Sequence, residues 1–159
     1  MTPRPCAPSV TWACYRFSPP STVKLWSPRR CCGSLRRLPR FPALDRPQLP
    51  FVRVASPADH ARVDELELRL ERGEAEAIAL ALELKATALL IDEARGRALA
   101  ARLGLAVVGT LGVLRDARTA GLIAAVRPHV ERLVQEINFF LDPDLVREFL
   151  AQLGESAPA

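Results

Sequence analysis

The sequence predicts an α/β domain built on a parallel sheet, and three observations carry that prediction. From about residue 51 onward, amphipathic helical segments alternate with short apolar runs. Two of those runs, "TALLI" (residues 87–91) and "LAVVG" (residues 105–109), are continuous and uncharged, as expected of strands covered on both faces. Glycine, proline, Asp and Thr stand where helices should start and stop. Strands separated by helices pair in parallel, because the crossover brings each strand back in the same direction.

"FVRV" (residues 51–54) reads as a short strand. "PADHARVDELELRLERG" is a charged helix with Val63, Leu66 and Leu70 on one stripe, expected to stop near Gly73. Between Glu74 and Lys85, Ala77, Leu80, Ala81 and Leu84 form one stripe, and Ile78 with Leu82 forms a second. A helix apolar around so much of its circumference is covered on several sides. After the strand at 87–91, "EARGRALAARLG" should turn Ala94, Ala98, Leu99 and Leu103 inward, with Gly104 just past its end. The run at 105–109 is a second buried strand. "TLGVLRDARTAG" is a helix capped by Thr110 and ended by Gly121. "RPHVERLVQEIN" carries a proline at its first position and Val130, Leu133, Val134 and Ile137 on its apolar face. "DPDLVREFLAQLG" starts with Asp142 as cap and Pro143 behind it, and turns Leu145, Phe149, Leu150 and Leu153 inward. No apolar run reaches membrane-spanning length without charge, so no membrane role is expected.

The net charge of +4 hides a division. Residues 1–50 hold nine Lys/Arg and one acid, Asp45, whereas the remainder holds thirteen Lys/Arg and seventeen acids. The basic average therefore comes from one segment and is no evidence for a nucleic-acid face. That segment also holds ten of the fourteen prolines, all four cysteines (Cys6, Cys14, Cys31, Cys32) and both tryptophans. Its cysteines lack the spacing of a zinc site, and the adjacent pair Cys31-Cys32 is poor geometry for a structural disulfide. "STVKLW" within it has the look of a short strand. Three readings are open for residues 1–40: a disordered basic tail, a targeting peptide, or a GC-rich gene translated out of frame. The crowding of Arg, Pro, Cys, Ser and Trp without acids favours the third. No stable packed structure is expected there, since few periodic apolar positions offset the ordering entropy. The chain thus divides into a leader (1–40), a domain (41–154) and a short tail (155–159).

The acids of the domain are placed by the crossover geometry. Glu74 and Glu76 begin one helix, and Asp92 ends the strand that follows it. Twelve helical residues span roughly 18 Å and five strand residues roughly 16 Å, so the chain returns to the sheet edge it left. Glu74 or Glu76 and Asp92 should therefore share one rim, with Thr110 brought there by the next crossover. That is the rim where open α/β sheets bind ligands. Two readings stand for these acids. Clustered carboxylates suit a hard divalent cation. Alternatively, Glu in a first turn answers the helix dipole and Asp before a helix is an ordinary cap. Glu74 and Glu76 lie about 200° apart on a helix, so at most one points into a site. Arg95 and Arg97 could meet RNA phosphates near Asp92, or form a solvated face in which Glu93 and Arg97 pair at i, i+4. A helix-turn-helix reading of residues 110–133 lacks an exposed basic cluster to neutralise phosphates.

The Gly-Glu-x-Glu-Ala-Ile start at Gly73–Ile78, the Leu-Ile-Asp-Glu strand end at Leu90–Glu93 and the Gly-Thr-Leu-Gly-Val-Leu stretch at Gly109–Leu114 occur in order. Together they resemble the C-terminal half of a PIN-like domain family of unknown function related to VapC-type toxin ribonucleases, over about Phe51 to Gly154. The resemblance implies a three-layer α/β/α fold with a parallel sheet. It implies an Mg²⁺- or Mn²⁺-dependent endoribonuclease, cytoplasmic, acting on RNA, paired with a small antitoxin protein and able to form a homodimer. By that resemblance Glu76 matches the third acid of a catalytic quartet and Asp92 the fourth. Glu74 is a substitute for Glu76, and Glu93 and Thr110 are additional candidates. The family's first strand and its two early acids have no counterpart, because no acid precedes Asp45. The fold is therefore expected to be incomplete at its N-terminus and any nuclease activity impaired, the alternative being an inactive remnant or interaction module.

Overall fold

A computed structural model describes residues 12–13, 25–28, 52–137 and 139–155. In chain order these form strands β1 (Trp12–Ala13), β2 (Leu25–Pro28) and β3 (Val52–Ala55), helices α1 (His60–Glu67) and α2 (Arg72–Glu83), strand β4 (Leu89–Leu90), helix α3 (Ala94–Arg102), strand β5 (Val107–Val108), and helices α4 (Thr110–Thr119), α5 (Arg127–Ile137) and α6 (Pro143–Gln152). The described residues are mostly helical. They fall in two compact units, one ending at Gly109 and the other beginning at Thr110.

The parallel pairing expected of the two apolar runs is present. Leu89 stands opposite Val107 and Leu90 opposite Val108. The Leu89 N–H donates to the Ala106 carbonyl at 2.7 Å and the Ile91 N–H to that of Val108 at 2.9 Å. The whole sheet has the order β3-β2-β1-β4-β5. β2 and β3 are also parallel, but β1 runs antiparallel to both its neighbours, so the sheet is mixed rather than parallel throughout. β1 pairs Trp12 with Leu90 and Ala13 with Leu89. Strand β4 would otherwise present unpaired peptide groups along that side, and pairing of any polarity satisfies them. A piece of the leader thus occupies the centre of the sheet, where an absent first strand had been expected. β2 overlaps "STVKLW". The rest of residues 1–40 lies outside the described residues, and with it the expectation that the leader lacks packed structure.

In the first unit, Val63, Leu66 and Leu70 pack with Ala75, Ala77, Ile78, Leu80, Leu89, Ile91 and Ala100 into one core. Helix α2 is buried at every position from Glu74 to Ala81, as its encircling apolar pattern implies. Asp59 caps α1 by accepting the Arg62 N–H at 2.9 Å. The carboxylate of Glu83 accepts the N–H groups of Ala58 and Asp59 at 3.1 and 2.9 Å, tying the end of α2 to the start of α1. Several boundaries differ from the sequence reading. The first helix stops at Glu67, and Gly73 lies inside α2 rather than ending α1. Lys85, not a glycine, takes the left-handed turn after α2, with φ 46°. Gly104 does so after α3, as expected. In α3 the buried positions are Gly96 and Ala100, while Ala94 and Ala98 face solvent. β5 is only half-buried, because it is the edge of the sheet.

In the second unit, Val126, Val130, Val146 and Leu150 form the core, with Leu111, Leu114, Ile123, Phe149 and Leu153 against it. Asp142 caps α6 through the N–H groups of Asp144 and Leu145, with Pro143 behind it. Gly121, with φ 71°, ends α4. Val134 and Leu145, expected inward, are instead largely exposed, and Val146 takes the core position assigned to Leu145. No helix among the described residues is long and apolar enough to cross a membrane.

Candidate functional site

Glu74 stands in the first turn of α2 and is 2% exposed. Neither of its carboxylate oxygens has a hydrogen-bond partner. Its side chain reaches the junction between β4 and α3, where it meets Glu93, and its Oε1 lies 2.8 Å from the point that a Cβ on Gly96 would occupy. Burial is the main force pushing its pKa up from 4.5 to about 7; the negative charge of Glu93, a hydrogen bond with Glu93 and the charge of Glu71 add to it, against a backbone hydrogen bond at Glu71. The missing partner and the hydrogen bond to Glu93 are two protonation states of one contact. Two ionised carboxylates have no donor between them, whereas a protonated one donates to the other. With its pKa at about 7, Glu74 is about half-protonated near neutral pH.

Glu76 follows two residues later and is engaged elsewhere. Its Oε1 accepts from Arg72 Nε at 3.2 Å, and Arg72 Nη1 also reaches Glu67 at 3.1 Å. Of the two glutamates, Glu74 is the one that meets Glu93 beyond the end of β4. Asp92 follows Ile91 there. Its Oδ1 lies 3.2 Å from the point that a Cβ on Gly109 would occupy. Its carbonyl accepts from Arg97 Nη1 at 2.5 Å. Arg97 therefore braces the strand end instead of pointing a bare cation outward, whereas Arg95 is exposed. Thr110 opens α4 immediately after Gly109 in sequence, in the second unit.

The helix-end reading places Glu74 in a first turn, and the structure has it there. The residues at the cap positions of α2 and α3, Glu71 and Glu93, make no capping hydrogen bond with their side chains. Asp92 lies one residue further out. Glu74 is in a first turn, where the dipole favours an anion, but complete burial without a donor opposes ionisation more strongly than the dipole assists it. An orphaned buried carboxylate beside a second acid, Glu93, offers hard oxygen donors, and Mg²⁺ or Mn²⁺ would relieve its desolvation. In donor type the residues fit such an ion. In number they are sparse: among the described residues no group of three or more His, Cys, Asp or Glu stands ready to hold a metal. Sequence reasoning missed Gly96 and Gly109. The available signal was a glycine inside an alanine-rich helix, a costly choice for helix stability unless close packing requires it.

The first unit is thus a mixed α/β unit in which one buried acid, Glu74, meets half-buried Glu93 beyond the end of β4. The family comparison is specific: residues 40–155 match the DUF3368 family of PIN domains, and the chain belongs to that family. Neither the curated proteins nor the solved structures contain a match to the chain.

Proposed function

We propose that the chain is a PIN-type endoribonuclease domain of three-layer α/β/α architecture that uses Mg²⁺ or Mn²⁺ and cleaves RNA slowly. The observation that supports this reading best is Glu74, a carboxylate buried without a donor beside the strand end that carries Asp92 and Glu93. Such a group persists in a core when it is protonated or when a positive charge offsets its desolvation. A divalent cation, when bound, would activate water and stabilise the leaving oxygen of a phosphodiester. Glu74 and Asp92 would hold it, and the proton on Glu74 would be released to solvent as the ion enters. Arg97 fixes the Asp92 backbone, and exposed Arg95 is the side chain suited to an RNA phosphate. Glu76, which the family resemblance put in the quartet, is better suited to holding the start of α2 through Arg72.

The slow rate follows from the number of ligands. Mg²⁺ is held weakly by one or two carboxylates unless substrate phosphates help. A displacement of about 1 Å at a reacting centre can lose on the order of a hundredfold in rate. The sparse acid set also supports the second reading, an inactive remnant that serves as an interaction module. The toxin reading carries with it a cytoplasmic setting, a small antitoxin and a homodimer. The test is Mn²⁺-dependent cleavage of a labelled RNA by this chain, by Asp92→Asn, and by a version whose first 40 residues are replaced by the upstream translation in the alternative frame. Weak cleavage by the chain, loss in Asp92→Asn and a gain of at least tenfold in the replaced version support the nuclease reading. No cleavage by any of the three supports the remnant.

A further inference from the structure

Gly96 is the third residue of α3 and is buried. Glycine is the least favourable helix residue after proline, and Gly96 is flanked in α3 by residues that all form helix more readily. Its place is explained by what a side chain would meet there. A Cβ on Gly96 would overlap Ile91 Cδ1 and stand 2.8 Å from Glu74 Oε1. Ile91 is fully buried and Glu74 is 2% exposed, so neither side chain has open space to retreat into. A second glycine repeats the arrangement at lower pressure. A Cβ on Gly109 would stand 3.2 Å from Asp92 Oδ1 and 3.9 Å from Arg97 Nη1. Asp92 is only half-buried and can give way by a few tenths of an ångström.

We propose that Gly96 and Gly109 are positioning residues: their missing side chains are the seats into which the carboxylates of Glu74 and Asp92 fit, and these seats set where the two acids stand relative to the end of β4. Neither glycine reaches a reacting atom. Each acts through the carboxylate it admits, and the seat at Gly96 is the stricter of the two because its surroundings are closed. The inference rests on the reading of Glu74 and Asp92 as the residues that hold a cation, but the seats exist in the metal-free chain and are read there independently.

The experiment uses the full chain and three variants, Gly96→Ala, Gly109→Ala and Gly96→Ala/Ile91→Val. The double variant removes the Ile91 Cδ1 overlap and leaves the Glu74 contact, which separates an apolar clash from displacement of the acid. Two readouts are taken: the ¹³C resonance of the Glu74 carboxyl at fixed pH without metal, and the Kd for Mn²⁺ by electron paramagnetic resonance. In Gly96→Ala the Glu74 resonance moves and the Kd rises at least tenfold. In Gly96→Ala/Ile91→Val the thermal midpoint recovers toward that of the unmodified chain while both effects on Glu74 persist. Gly109→Ala leaves the Glu74 resonance in place and raises the Kd by about threefold to tenfold, the smaller effect reflecting the looser approach to half-buried Asp92. An unchanged Glu74 resonance in both Gly96 variants overturns the inference, as does full recovery of the resonance and the Kd when Ile91 is shortened. If the unmodified chain binds no Mn²⁺, the cation reading fails, and the metal-free resonance still decides whether the seat is real.

Discussion

Glu74 is the residue at which stability and function oppose each other. Its folded-state pKa of about 7 lies above the unfolded value of 4.5. The fold is therefore favoured by this group below pH 4.5, and that contribution is lost as pH rises through about 7. Glu74→Gln should stabilise the metal-free chain at pH 8 by roughly 1–3 kcal/mol and flatten the difference in stability between pH 4.5 and 7, which urea titrations of both proteins at several pH values will show. The same proton competes with a cation. The apparent Kd for Mn²⁺ should fall about tenfold per pH unit up to about pH 7 and level off above it, since one proton must leave for the ion to enter. Crossover lengths alone pointed to Glu74 or Glu76 and to Asp92 as candidates at one rim, and the structure puts Glu74 against Glu93, the residue after Asp92. The choice between Glu74 and Glu76 was not legible in the sequence, because the 200° between them says that one points away without saying which. In the structure the Arg72 guanidinium bridges Glu76 and Glu67, while Glu74 meets Glu93. Loss of a partly exposed pair of this kind costs about 0–1 kcal/mol, so Glu76→Gln should be nearly silent in stability.

Among the elements, helix ends were read better than helix faces. Asp142 with Pro143, and the glycines Gly104 and Gly121, mark their ends by backbone chemistry that depends on the residue itself. Faces depend on neighbours. In α3 the apolar count pointed to Ala94 and Ala98, yet the helix turns Gly96 and Ala100 inward because closeness to Ile91 and Glu74 outweighs side-chain hydrophobicity. The start of α5 shows a tie that no local pattern announces. Burial opposes ionisation of Glu155, but the N–H groups of Val126 and Arg127 and the guanidinium of Arg118 hold its pKa below the usual value. Its carboxylate accepts those N–H groups at 2.8 to 3.1 Å and pairs with Arg118 at 2.8 Å, an end-to-start link across almost thirty residues. Glu155→Ala should destabilise the chain by about 1–2 kcal/mol, the range for losing a helix cap with a charged hydrogen bond, and the urea midpoint will report it. Because this pKa is lowered, the contribution of Glu155 is present above pH 4.5 and fades as pH falls below it.

For the whole molecule, the change of composition near residue 40 coincides with the start of the PIN family match at residues 40–155. The alternation of helices and apolar runs was sufficient to foresee an α/β domain with β4 and β5 parallel. It did not foresee the antiparallel β1 between β2 and β4, since two paired residues leave no periodicity to read. In α4 and α5, Arg115, Arg118, Arg127 and Arg132 each pair with an acid. What remains distinctive of the chain is a buried acid, Glu74, against half-buried Glu93 beyond the end of β4, in a family of PIN domains. The central claim is that Glu74 and Asp92, rather than Glu76, hold a divalent cation. Its most direct measurement is Mn²⁺ binding at pH 8 by electron paramagnetic resonance for the unmodified chain, Glu74→Gln, Glu76→Gln and Asp92→Asn. The account expects a Kd raised at least tenfold in Glu74→Gln and Asp92→Asn, and within about threefold of the unmodified chain in Glu76→Gln, because removal of one carboxylate ligand from a sparse oxygen site is felt strongly. Loss of binding in Glu76→Gln with retention in Glu74→Gln would contradict it, as would an unmodified chain that binds no Mn²⁺.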